Sequence, residues 1–134
     1  MTDLQNFFYA LAQLIHNFGA VAVMGGAVYA LSSPETISKR KIAWVVLIAW
    51  GLQGASGGAF GAISYYYYGK FPDISGAAMI ALGIKIVSTA FGFILAAAQL
   101  FANLSKRTSR LAWIASSVLG VLALSSAAVL RWFS

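Results

Sequence analysis

The chain has 134 residues, of which 60% are hydrophobic and 9% charged, against roughly 25% charged in an ordinary soluble domain. Cysteine is absent, which excludes disulfides, thiolate metal sites and iron–sulfur clusters within the chain. A net charge of +6 would suggest nucleic acid in a soluble protein, but no nucleic-acid motif accompanies it and the basic residues follow a membrane pattern.

The N-terminal MTDLQNFFYA has neither the basic n-region nor the small-residue cleavage site of a secretory signal, so the first apolar stretch is expected to be retained. That stretch, from about Phe7 to Leu31, exceeds the ~20 apolar residues that cross a bilayer as a helix. Ala12, His16, Gly19, Val23, Gly26 and Ala30 recur along it at helical spacing, a stripe of mostly small residues interrupted by the only histidine. Pro34 stops this helix and suits a turn or the first turn of a short helix.

The second span, about Ile42 to Tyr66, carries glycine at 51, 54, 57, 58 and 61. Gly54 with Gly58, and Gly57 with Gly61, form two small-xxx-small registers that predict close helix packing. A flat surface for a planar ligand such as a porphyrin or quinone is the alternative. Gln53 lies in this region and needs a hydrogen-bond partner there. Tyr65 to Tyr68 cannot all face one way on a helix, so they predict an interfacial aromatic belt, with Trp44 and Trp113 at one membrane surface and Trp132 at the other.

The third span, about Ile74 to Ala102, contains Lys85. An ammonium at membrane depth costs about 3 kcal/mol on insertion scales. Ala78, Ala81, Ser88, Thr89, Gly92, Ala96 and Gln99 share its flank, whereas Ile86, Phe93, Ile94 and Leu100 lie elsewhere, so Lys85 is expected to face the bundle interior. The fourth span, about Leu111 to Leu130, offers Ser116, Ser117, Gly120, Ser125 and Ser126 and reads as a packing helix.

The fold class is therefore all-α, a single polytopic membrane four-helix bundle over residues 1–134. Lys39, Arg40 and Lys41 precede the second span, and Lys106, Arg107 and Arg110 precede the fourth. The positive-inside rule places these segments in the cytoplasm and both termini outside, in a bacterial-type inner membrane. Arg131 is the exception on the outer side. In this topology His16 and Lys85 lie roughly 14 and 17 Å below the outer ends of their helices, at nearly equal depth. They can face one cavity. An imidazole there can serve as an axial ligand to haem iron, with Lys85 pairing a propionate. The pair can equally hold a quinone oxygen or relay protons, or bind nothing, with His16 bonded to a backbone carbonyl and Lys85 snorkelling upward.

The segment LIHNFGAVAVMGGAVYAL resembles the opening of the CopD and HemJ group of small membrane proteins, through His16, Gly19, Gly25 and Gly26. The basic cluster at 39–41 and the run Leu82-Gly83-Ile84-Lys85-Ile86-Val87 are similar to that group's second-helix entrance and third helix. The resemblance implies haem b binding and protoporphyrinogen oxidation with roles for His16 and Lys85, or, on the CopD side, copper handling. Two departures stand against these expectations. The HemJ pattern continues into Pro-Arg and a second histidine, where this chain has Tyr29-Ala30-Leu31-Ser32. For copper, only Met24, Met79 and His16 are candidate ligands.

The expected site comprises His16, Lys85, Gly19 and Gln53, with His16 as the metal ligand if haem is bound. Haem b, a quinone, or no cofactor all fit the residues. The leading expectation is a haem-associated or redox-linked protein, alone or as a subunit of an electron-transfer complex. One alternative is a non-catalytic accessory subunit docking through the glycine-rich second helix, and another is a small oligomeric transporter. Membrane lipids and a second copy or a larger complex are the expected partners. Asp3, Glu35 and Asp73 all lie outside the spans, which excludes two-carboxylate hydrolytic chemistry.

Overall fold

A computed structural model describes residues 2–134. It contains four helices, α1 (Asp3–Ser32), α2 (Arg40–Tyr68), α3 (Gly76–Phe101) and α4 (Lys106–Phe133). Each is long and apolar enough to cross a bilayer, which fits a multi-pass membrane protein. Their ends are set by local chemistry. Thr2 caps α1 by accepting from the Gln5 amide at 3.2 Å, and Ser105 caps α4 by accepting from the Thr108 amide at 3.2 Å. Gly69, at φ +67°, closes α2 in the left-handed conformation that favours glycine. Pro34 lies in a turn closed by the Ile37 amide donating to its carbonyl at 3.1 Å.

The helices form a ring in chain order. Each packs on its sequence neighbours, α4 returns to α1, and α1 faces α3 across the diagonal. Connections are short, through residues 33–39, 69–75 and 102–105, so neighbours run antiparallel and both termini lie at one end of the bundle. This is the terminal end; the other is the basic-loop end.

The core occupies the basic-loop half. Val23, Ala27 and Ala30 of α1 meet Ala43, Val46 and Trp50 of α2, Ala96 and Leu100 of α3, and Trp113 of α4. Small residues allow this packing. A Cβ on Gly92 would collide with the Trp50 indole, one on Gly120 with Met24, and one on Gly26 would come within 2.5 Å of Val46 Cγ2. Outward-facing Phe18, Ile80 and Ile94 are well exposed, as lipid-facing side chains should be.

Four expectations need correction. Three helices, α1, α2 and α4, are longer than their apolar runs, while α3 is slightly shorter than its own: Arg40, Lys41, Lys106, Arg107 and Arg110 lie inside helices and not in loops, because helix geometry continues into the polar interface once a cap such as Ser105 is available. Trp113 is buried, only 2% exposed, since it shares the inward stripe of Ser116, Gly120 and Ala123. Leu100 is buried for the same reason, one turn beyond Ala96. Finally, Gly54, Gly57, Gly58 and Gly61 do not seat another helix within this chain. A Cβ on Gly57 or Gly58 would meet nothing within 4 Å, and those on Gly54 and Gly61 would make only ordinary contacts with Thr89 and Phe71. The close approaches fall on Gly26, Gly92 and Gly120 instead.

Candidate functional site

His16 sits on the buried stripe of α1, and Lys85 projects from α3, its diagonal partner. Their side chains meet: Lys85 Nζ lies 3.0 Å from His16 Nε2. No backbone contact joins α1 to α3, so a long side chain has to bridge them, and the lysine stem does so.

The other ring nitrogen is also engaged. His16 Nδ1 lies 2.7 Å from Ser56 Oγ, and the Ser56 hydroxyl donates to the Leu52 carbonyl at 2.5 Å. A serine hydroxyl has one proton. With that proton on Leu52, Ser56 accepts from His16, so the imidazole proton is on Nδ1. Nε2 then accepts from Lys85. This tautomer is inferred from the network, and every donor in the chain Lys85–His16–Ser56–Leu52 points toward the α2 backbone. The path ends on a carbonyl oxygen, which has no proton to pass on. The network therefore orients the ring and the amine without forming a proton path across the bundle.

Gln53 and Gly19 complete the group. The Gln53 amide donates to the His16 carbonyl at 2.5 Å. Gly19 permits this approach, since a Cβ there would lie 2.8 Å from Gln53 Nε2. All four residues expected from the sequence thus converge on one site. Phe60 presents its ring to the imidazole, edge to face, with centroids 6.1 Å apart. Thr89 donates to the Lys85 carbonyl at 2.8 Å and caps that turn of α3.

The pair faces a cavity of about 1310 Å³, larger than the roughly 300–1,000 Å³ of ordinary small-molecule sites. Its walls are mainly apolar, with Phe60, Met79, Leu82 and Phe93 on them. Gly54, Gly57, Gly58 and Gly61 form one wall, and their missing side chains are part of the space. Val23, Trp50 and Gly120 line it toward the core, while Phe71, Pro72, Arg131 and Ser134 line it at the terminal end. Beyond Val23 and Trp50 the packed core, including Ala27, Ala30 and Val46, closes the basic-loop half. Sequence reasoning missed Ser56 and Arg131 as parts of this site. Ser56 lies about one turn after Gln53 on the same buried face, but that spacing does not say what it bonds; Arg131 gave no signal beyond its charge.

Haem iron would be held here by His16, on one condition. Iron binding at Nε2 would need the lone pair that now accepts from Lys85, so the lysine would have to leave the ring and would be free to pair an acidic group of the ligand. His16 is the only imidazole in the chain, so one chain would offer haem iron a single ligand of that kind. A quinone oxygen needs no such change, because Lys85 can donate to it while still bonded to His16. Copper is poorly served. Met24 lines the cavity but packs on Gly120, and no group of three or more His, Cys, Asp or Glu residues gathers among the described residues.

The tautomer is directly testable, because one histidine gives one set of imidazole nitrogen resonances. Nitrogen-15 NMR of the labelled protein is expected to show Nδ1 protonated and Nε2 bare in the neutral ring. Ser56→Ala should shift that population and cost about 1–3 kcal/mol through the unpaired Nδ1 donor. A wild-type ring protonated at Nε2 would reverse the assigned direction of the network.

No family model, curated protein or solved structure matches the chain, so the CopD and HemJ resemblance remains an expectation and function is read from the geometry.

Proposed function

We propose that this chain is a redox-linked integral membrane protein that holds an apolar ring ligand, of the haem or quinone class, in the cavity above the His16–Lys85 pair. The observation that carries this reading is the 3.0 Å contact between Lys85 Nζ and His16 Nε2 on the wall of that cavity. A lysine committed to snorkelling would extend to the bilayer surface; here it turns inward to the imidazole. Lys85 presents N–H donors to a ligand oxygen, His16 positions the amine, and Ser56 and Gln53 fix His16 through its ring and its backbone. The glycine wall leaves room for a flat ring against α2. Haem would supply one-electron chemistry, and a quinone would couple electron transfer to proton uptake at its oxygens.

The test is a visible spectrum of the detergent-purified protein expressed with haem supply, together with quenching of tryptophan emission by a short-chain benzoquinone. Trp50, one of four tryptophans, lines the cavity, so the part of the quenching lost in Trp50→Phe reports the site. A Soret band or saturable quenching that is lost in His16→Ala is expected. Absence of both in a folded sample would remove this reading.

Membrane orientation follows from charge. Six of the nine basic residues lie at the basic-loop end, in 39–41 and 106–110, and we place that end in the cytoplasm of a bacterial-type inner membrane with both termini outside. C-terminal fusion to a reporter active only outside the cytoplasm should be active, and fusion to a cytoplasm-only reporter dark. The reverse pattern would invert the bundle and open the cavity toward the cytoplasm.

A further inference from the structure

The charge balance of the cavity is one-sided. A lysine ammonium has three N–H donors. Lys85 gives one to His16 Nε2, and Nζ makes no other hydrogen bond among the described residues. No aspartate or glutamate lines the cavity. Asp3 and Asp73 lie off its walls, and Glu35 is at the basic-loop end, 3.7 Å from Lys106. A second cation, Arg131, lines the terminal end of the same cavity. Lys85 is nine residues into α3 and Arg131 two from the end of α4, so they stand about 10 Å apart along the bundle axis. Lys85, 3.0 Å from a neutral imidazole and with no aspartate or glutamate side chain on the cavity wall, leaves its neutralisation to something that enters, and Arg131 adds a second cation on the same mainly apolar walls.

We propose that the ligand is an amphiphilic acid, an apolar body bearing a carboxylate that seats on Lys85, with Arg131 drawing the acid in from the terminal end. This rests on the ligand-pocket reading above and narrows it to acid-bearing ligands. A carboxylate takes the two donors that Lys85 has left and neutralises its charge, which a neutral carbonyl cannot do. Long-chain acids and ring acids share this chemistry.

The full-length protein, in detergent micelles, is titrated with myristate against methyl myristate, and with protoporphyrin IX against its dimethyl ester, following tryptophan quenching or heat. The acid of at least one pair should bind about tenfold more tightly than its ester, a difference within reach of charge-assisted hydrogen bonds. The pair that shows the preference identifies a chain or a ring as the apolar body. Lys85→Met, checked for helicity, should bring the ratio to about one. Arg131→Gln, exposed in the last turn of α4, should lower it in part and slow association. If Lys85→Met does not fold, Lys85→Gln and the Arg131 variant carry the test. Equal binding of acid and ester by the wild type would overturn the acid assignment while leaving the pocket reading standing. An acid preference that survives both Lys85 and Arg131 substitution would also overturn it. Failure of acids, esters and the benzoquinone alike would bring down the pocket reading itself.

Discussion

Gly92→Ala is expected to destabilise the bundle by about 1–3 kcal/mol, the usual cost of overpacking a filled core. Any added Cβ collides with the ring atoms of the Trp50 indole. Trp50 is 1% exposed and belongs to the packed cluster that also holds Val46, Ala96 and Trp113, which leaves its ring little room to move. The penalty should outweigh the ~1 kcal/mol that alanine gains over glycine as a helix former. Gly57→Ala and Gly58→Ala provide the control, since a Cβ at either position meets nothing within 4 Å. Those variants should be neutral or more stable. Unfolding in denaturing detergent, followed by circular dichroism, ranks the three. Gly92→Ala as stable as wild type would mean that the Trp50 contact is not what closes the basic-loop half.

His16 and Lys85 should be energetically coupled, with opposite effects when removed singly. His16→Ala takes away the only side chain that accepts from Lys85 Nζ among the described residues and is expected to cost about 1–3 kcal/mol. Lys85→Met keeps the length of the side chain and removes a charge that costs about 3 kcal/mol at membrane depth. It should leave the fold intact, raise stability, and weaken ligand binding. In the double variant, losing the imidazole should matter much less, giving a coupling in the range of about 0.5–3 kcal/mol. Unfolding midpoints for the four species complete the cycle. Strictly additive changes would mean that the contact has no energetic weight, and unfolding of Lys85→Met alone would make Lys85 a structural residue.

The site was more legible in the sequence than the packing. Two polar residues at matched depth, each on a small-residue stripe, were enough to bring His16 and Lys85 together, because helix rise and antiparallel topology leave little freedom in depth. Gln53 was legible by the same logic, as an amide in an apolar run that must find a partner. Ser56 was not, because a serine in a membrane helix ordinarily returns its proton to a carbonyl one turn back, and Ser56 does so as well. Its second role, accepting from His16, depends on which helix lies opposite. The glycines misled for a related reason. Small-xxx-small spacing marks a face where the backbone is bare without indicating whether a helix or a void lies against it. For Trp113, position near a helix end suggested the interface, while its shared stripe with Ser116 and Gly120 carried the better signal.

The ring of four helices is covalently incomplete. Links join α1 to α2, α2 to α3 and α3 to α4, but only side-chain packing holds α4 to α1, and that seam is the least extensive of the four. The core sits at the basic-loop end, and the cavity extends toward the terminal end. Local openings should therefore begin where α1 and α4 part at the terminal end, as a pair of tongs spreads at its tips. Backbone amides in the last turns of α4 should exchange with deuterium sooner than those around Trp113. A molecule dissolved in the bilayer could then enter sideways between these two helices without first crossing into water.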